Sequence, residues 1–408
     1  MSARSPLTPA VVCLAEMLAM SVWFTSSAVA PQLRAQWGLD ASQAGWLTTA
    51  VQVGFVLGTA AAAVLNLADV LPARSYVAWS MVLAGAANAA LLAAPGYRSA
   101  LAARVATGFC VAGVYPPAMK MLATWSRTRR GLAIGSLIGA LTIGKAVPYL
   151  LRAVTGDDLR AVILITTVMS LLAAALIALT YHDGPHAFPR HRFAWARSRE
   201  VLADPATRLA IGGYLGHMWE LYAMWGWIPA FLAAGLAAHP AGGAPGGAGA
   251  ETFGDLMAFA AIAAGGAGCV WGGWEADRLG RERLVTIAMA ASGGCSLIIG
   301  AFYGGPAWAL AAVSLVWGFF VVADSGQFST IVTEVAPRHA VGTALTLQTS
   351  LGFLLTVVTM QLVPWIAGIW GWRWAFAPLA LGPVFGIASI ARLARVRRAS
   401  AARSLAAG

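Results

Sequence analysis

Long apolar runs alternate with short polar joints along almost the whole chain. A membrane-crossing helix needs about 20 mostly apolar residues, and that ruler divides the sequence into twelve spans. Six lie near 8–30, 44–66, 75–94, 99–124, 131–151 and 160–181, and six near 209–234, 253–274, 284–304, 307–332, 341–366 and 374–392. The longest polar stretch, Tyr181 to Arg208, falls at the middle. It holds Pro185, Pro189 and Pro205 with Arg190, Arg192, Arg197 and Arg199. The pattern predicts an N-terminal six-helix bundle over 1–181, a basic linker over 182–208 and a C-terminal bundle with a short basic tail over 209–408. The Gly/Ala/Pro run at 237–249 predicts an outer loop without chemistry. Thr107-Gly108-Phe109 in the fourth span matches Trp317-Gly318-Phe319 in the tenth, and the same offset lays Arg127-Thr128-Arg129 on Pro337-Arg338-His339. The expected class is therefore an all-α integral membrane fold of twelve transmembrane helices in two pseudo-symmetric six-helix bundles.

Composition sharpens this. Of 408 residues 59% are apolar and only 11% charged, against roughly a quarter charged in soluble domains, so most of the chain faces lipid. A formal charge of +11 could suggest nucleic acid, but the arginines cluster in the joints on one side. An even number of spans puts both termini on that side, with Arg4 and the tail residues Arg392, Arg395, Arg397 and Arg398. By the positive-inside rule it is the cytoplasm. The expectation is a multi-pass protein of the inner or plasma membrane, embedded in the bilayer and without a nucleic-acid partner. The first span carries Glu16 and no small-residue cleavage site follows it, so it is not read as a signal peptide. Cys13, Cys110, Cys269 and Cys295 sit in apolar stretches without C-x-x-C spacing and are read as free thiols, with no metal expected. There is no Walker pattern, H-E-x-x-H or nucleophile elbow; neither ATP-driven pumping, a cofactor nor an enzyme activity is expected.

Between the eighth and ninth spans runs Gly273-Trp274-Glu275-Ala276-Asp277-Arg278-Leu279-Gly280-Arg281-Glu282-Arg283. A degraded copy, Asp69-Val70-Leu71-Pro72-Ala73-Arg74, stands at the equivalent joint of the first half, with Leu65 and Pro72 where the pattern has glycines. This pattern, once per half, resembles the loop signature of the major facilitator superfamily, and Arg104-x-x-x-Gly108 resembles its fourth-span signature. The resemblance covers the whole chain. It implies two six-helix halves related by an axis along the membrane normal and rocking about a central site. It also implies a gating loop at Asp69, Arg74, Gly273, Asp277, Arg278, Gly280 and Arg281, and secondary transport by a protein that acts as a monomer. Spans 1, 4, 7 and 10 would line the cavity, with help from 5 and 11. The span-5 glycine series of the drug/proton antiporters is incomplete. Gly135 and Gly144 are in place, but Pro148 has no glycine before it and Lys145 intrudes.

Ionisable groups inside spans are expensive and mark function by default. They are Glu16 in span 1, Arg104 and Lys120 in span 4, Lys145 in span 5, His217 and Glu220 in span 7 and Asp324 in span 10; Lys120 and Lys145 are the only lysines. Glu220 with His217 three residues before it on the same face, Glu16 and Asp324 are the candidates for proton coupling. Lys145 with Arg104 or Lys120, together with Tyr222, Trp219 and Gln327, are the candidates for substrate contact. Each has a bland counterpart: paired structural acids, a Lys120 that snorkels, aromatics that only pack. Arg104 and Lys120 lie about 160° apart on an ideal helix, so both cannot face the cavity. The leading expectation is a proton-coupled transporter of a small organic or inorganic anion. One alternative is a proton-driven exporter of lipophilic or cationic compounds, with the acids as cation ligands. The other is a non-transporting receptor of the same fold.

Overall fold

The computed structural model describes residues 7–125, 130–186, 195–239 and 248–406. Arg127-Thr128-Arg129, the linker's Pro189, Arg190 and Arg192, most of the glycine-rich outer loop and the side chain of Asp69 lie outside the described residues. Every regular element among those residues is helical, as a bilayer-spanning chain requires when no water is at hand for its amides.

Nine helices among the described residues are long and apolar enough to cross a membrane: spans 2 (Ala41–Val64), 3 (Ala73–Ala93), 5 (Gly131–Thr155), 6 (Leu159–Thr180), 8 (Gly249–Leu279), 9 (Arg281–Phe302), 10 (Ala307–Val335), 11 (Arg338–Trp370) and 12 (Trp372–Ala399). Span 7 is one unbroken helix, Pro205–Ala237, whose charged and aromatic content dilutes its hydropathy. Asp204 caps it, accepting from the Thr207 amide at 2.7 Å, with Pro205 at the first helical position. It therefore begins earlier than the hydropathy boundary. A short helix, Trp195–Ala203, precedes it in the linker. That helix docks on the start of span 11, where Arg197 donates to the His339 carbonyl.

Spans 1 and 4 were expected to be continuous and are not. Span 1 runs Thr8–Met20, breaks, and resumes as Thr25–Ala28 and Ala30–Trp37. The break follows from hydroxyls that compete for backbone groups: Ser21 Oγ donates to Leu18 O at 2.7 Å and Thr25 Oγ1 to Ser21 O at 3.2 Å. Span 4 runs Tyr97–Val111 and resumes as Tyr115–Ala123. Pro116 and Pro117 lack the amides that would continue the first segment. The ideal-helix angle between Arg104 and Lys120 therefore does not apply. Span 10 breaks at the equivalent place, Asp324, between Ala307–Ala323 and Ser325–Val335.

The internal repeat has a physical basis in close helix contacts. In the first half, a Cβ on Gly108 of span 4 would stand 1.9 Å from Val51 O of span 2, and one on Gly58 would stand 2.3 Å from Phe109 O. In the second half, a Cβ on Gly318 of span 10 would stand 1.8 Å from Ala261 O of span 8, and one on Gly268 would stand 2.1 Å from Phe319 O. The four contacts occupy matching positions, so the repeated Gly-Phe pairs mark where two backbones touch. Such small-residue packing holds helices together where lipid supplies no hydrophobic drive.

The halves meet along two seams, span 5 against span 8 and span 2 against span 11. In the first, Gly139 faces Gly266 and Gly131 faces Gly273 backbone to backbone. In the second, the Phe55 and Phe353 rings lie 4.4 Å apart, and Gln361 donates to Thr49 Oγ1 at 3.2 Å while accepting from Ser42 at 3.0 Å. A cavity of about 150 Å³ opens away from the termini, lined by Ser27, Arg34, Thr48, Arg152, Trp227 and Asp255 among others.

Candidate functional site

At the centre, spans 1, 5 and 7 converge on the Lys145 ammonium. Its Nζ lies 3.9 Å from the Trp23 ring centroid, 4.7 Å from Tyr222 and 5.6 Å from Trp225, and it donates to the Tyr222 hydroxyl. The side chain is only 1% exposed. A second tier closes the box: Trp23 meets Phe55 at 5.2 Å and Phe353 at 5.8 Å, and Tyr222 meets Phe353 at 5.1 Å. Behind it, Tyr149 donates to the Trp225 carbonyl at 3.1 Å. Trp23 lands here because the break in span 1 lets Ser21–Phe24 turn inward.

Arg104 holds that break. Fully buried, it donates to the Val22 carbonyl at 2.9 Å, the Trp23 carbonyl at 2.6 Å and Asn88 Oδ1 at 2.9 Å. Asn88 in turn reaches Thr166 and Thr167 of span 6, both at 3.1 Å. The guanidinium thus satisfies carbonyls that an interrupted helix leaves over, inside the first half.

Glu16 is completely buried on span 1, and neither carboxylate oxygen has a hydrogen-bond partner among the described residues. It interacts electrostatically with Lys145. The two backbones touch at the residue after Glu16 and the residue before Lys145, where a Cβ on Gly144 would stand 2.1 Å from Met17 O.

The second half carries its own buried group. His217 Nδ1 lies 2.9 Å from Asp324 Oδ1, with both side chains almost fully buried. The approach is a charge contact rather than an aligned hydrogen bond, and it is an ion pair when the imidazole is protonated. Phe328 covers the ring at 5.2 Å. The imidazole is thus paired across to span 10, and not with Glu220 as the i, i+3 spacing suggested. Glu220 instead accepts from Trp317 Nε1 at 2.7 Å and Ser292 Oγ at 2.8 Å, within electrostatic reach of Asp324. One helical turn therefore presents its two polar side chains to different neighbours.

The remaining candidates are scattered. Trp219 donates to Pro378 O at 3.1 Å, towards span 12 rather than the box. Gln327 approaches Gly272 O at 3.4 Å near the termini side. Lys120 lies half-buried close to the end of span 4. In the loop signature, Gly280 takes φ +83° and starts span 9, a left-handed turn that glycine adopts without strain. Arg278 covers the Trp274 ring at 3.9 Å. Arg281 lies 3.9 Å from Asp277 and 3.3 Å from Glu334, which Arg397 also approaches at 3.3 Å. Arg74 donates to the Ala178 carbonyl of span 6.

Sequence reasoning missed Trp23, Phe55 and Phe353, whose partners come from distant spans. It also missed a clamp on the side away from the termini. There Arg152 of span 5 pairs with Glu251 and, at 3.0 Å, with Asp255 of span 8. Asp255 is a lone acid inside an apolar run, a signal of the same kind as Glu16, and could have been found.

A family model described as Major Facilitator Superfamily matches residues 12–249 and 246–407. Among solved structures, a bacterial homologue of the human lysosomal transporter Spinster, in an inward-facing and occupied conformation, superposes with a TM-score of 0.69. It is 15% identical, and the match covers 96% of this chain and 98% of that one. No curated protein is a significant match by sequence.

Proposed function

The chain belongs to the major facilitator superfamily, and on that premise we propose that it is a proton-coupled secondary transporter of a small solute, working by alternating access. The bundles over 1–181 and 209–408, joined by the linker, rock about the box at Lys145. The termini side is the cytoplasm of an inner or plasma membrane, and the monomer is the working unit.

The observation that carries proton coupling is the Glu220, Asp324 and His217 group. Asp324 faces the His217 imidazole at 2.9 Å, and Glu220, bonded to Trp317 and Ser292, lies within electrostatic reach of Asp324. A fixed net charge at membrane depth is expensive. Taking up or releasing a proton adjusts that charge. Spans 7 and 10 hold all three, so their proton load can bias how the second bundle sits against the first.

The anion expected at Lys145, Arg104 and Lys120 is less well supported. The Arg104 donors are directed at the span-1 break, and the Lys145 ammonium is enclosed by rings. Efflux or uptake of a cation, with the acids as its counter-charges, fits these positions better.

The test is transport in proteoliposomes of whichever solute stabilises the protein in a thermal screen, since a ligand that binds the folded form raises its melting temperature. Glu220→Gln should abolish accumulation driven by an imposed pH gradient while leaving exchange at equal pH largely intact. Full gradient-driven accumulation in Glu220→Gln would remove the basis for coupling through this group.

A further inference from the structure

We propose that the aromatic box between the halves is a binding site for a small organic ammonium ion, and that Lys145 is its tethered stand-in, holding the box whenever no ligand does. This names the substrate class for the transport reading above and rests on it.

The ammonium of Lys145 is a buried charge without an ion pair to a carboxylate within 4.0 Å among the described residues. What surrounds it instead is Trp23 at 3.9 Å, Tyr222 at 4.7 Å and Trp225 at 5.6 Å, with the Tyr222 hydroxyl as a hydrogen-bond partner. Ring faces converging on one desolvated cation are the arrangement by which proteins recognise alkylammonium groups. A primary ammonium on a four-carbon arm has the same head chemistry as such a ligand. The box already selects for it.

The walls come from both bundles. Trp23 and Lys145 belong to spans 1 and 5, and Tyr222 and Trp225 to span 7; behind them Phe55 of span 2 and Phe353 of span 11 pack on each other, their rings 4.4 Å apart. The box is therefore complete only while the halves are closed on each other. A ligand in the position of the ammonium would be shut off from both sides, as a carried solute must be.

Lys145 has somewhere else to go. Glu16 is fully buried with both oxygens unpartnered among the described residues, and the two side chains interact electrostatically. They leave helices in backbone contact at Met17 and Gly144. A lysine stem is flexible enough to swing between two seats. When a ligand cation enters the box, the ammonium moves to the Glu16 carboxylate. One cation replaces another among the rings, and an unpaired carboxylate gains a partner. When the ligand leaves, the lysine returns.

The experiment measures binding of tetraethylammonium to the detergent-purified protein by tryptophan fluorescence and calorimetry, with benzoate as the anionic probe. Lys145→Gln keeps a group able to bond Tyr222 but removes the competing charge. It should bind tetraethylammonium at least about tenfold more tightly than the wild type, a gain in the range of a desolvated cation–π contact. Adding Trp23→Leu should erase the gain. Glu16→Gln, which removes the second seat and leaves the box intact, should bind about tenfold more weakly, and this arm holds even if the Lys145 variants fold poorly. Unchanged affinity in both Lys145→Gln and Glu16→Gln, or a gain that survives Trp23→Leu, would overturn the proposal. So would benzoate binding to the wild type that Lys145→Gln abolishes, because Lys145 would then be an anion receptor. That last outcome would leave proton coupling, tested separately at Glu220, untouched.

Discussion

Replacing Arg104 with Met would remove three hydrogen bonds at one stroke and leave the Val22 and Trp23 carbonyls at the span-1 break without them. A buried carbonyl deprived of its partner costs about 1–3 kcal/mol, so the two together come to about 2–6 kcal/mol. Against this stands relief from burying a guanidinium charge, whose desolvation is itself several kcal/mol. Hydrogen bonds between membrane helices average only about 0.6 kcal/mol in double-mutant cycles, which favours the lower end. The expected net loss is about 2–3 kcal/mol in the first bundle. It should appear as a fall of several degrees in the melting temperature of the detergent-purified protein, followed by size-exclusion after heating. Arg104→Lys should recover little of it, because a single ammonium cannot reproduce the planar fork that reaches three acceptors. Ligand binding should weaken in parallel, since Trp23 would lose its anchor. If Arg104→Met melts like the wild type yet stops transport, the residue acts on solute or proton and the structural reasoning fails.

Gly318→Ala should destabilise the second half severely, because its Cβ would stand 1.8 Å from the Ala261 carbonyl; Gly294→Ala, with nothing within 4 Å, is the matched control. Equal melting temperatures for the two variants would refute the backbone-contact account of the repeat. Arg152→Ala should loosen the clamp to Asp255 and Glu251, so that a cysteine placed at Ser27 in the adjoining cavity reacts several-fold faster with a water-soluble thiol reagent. An unchanged rate would mean the clamp does not close that side. Arg281→Ala removes partly exposed ion pairs to Asp277 and Glu334, and should cost no more than about 1 kcal/mol of stability. Its effect is expected in the transport rate, and a large drop in melting temperature would assign the loop a structural role instead.

The spans themselves were legible because about 20 apolar residues in a row leave few alternatives, and the loop signature fixed how they group. The breaks were not read. Serine and threonine in Ser21–Ser27 barely lower the hydropathy of span 1, and Asp324 is one polar residue in a long run. Only Pro116-Pro117 announced its interruption, and the sequence reading still carried span 4 through it. Site residues were legible singly and not as partners. Spacing along one helix put His217 with Glu220, but in a bundle a buried side chain is satisfied by whichever neighbouring helix it meets, and span 10 supplied Asp324. Lys145 stood out as a mid-span lysine. That its surroundings would be rings from spans 1 and 7 depended on a break that the pattern did not reveal.

The glycine seam between spans 5 and 8 bears on how the halves part. With Gly131 against Gly273 and Gly139 against Gly266, the two rods touch along main-chain atoms, and where span-5 side chains do cross, Ile143 on Gly266 and Thr142 beside Gly265, they meet a glycine that carries none. Separating them demands no change of rotamer on either face and frees little side-chain entropy. What is lost is close dispersion contact and weak Cα–H···O attraction. A joint without teeth neither ratchets nor jams. It can open and re-form in one smooth excursion, and it holds no latch of its own. At one extremity Arg152 with Glu251 and Asp255 bridges the halves and can hold that end shut; at the other, Arg281 with Asp277 and Glu334 charges the rim of the second half alone.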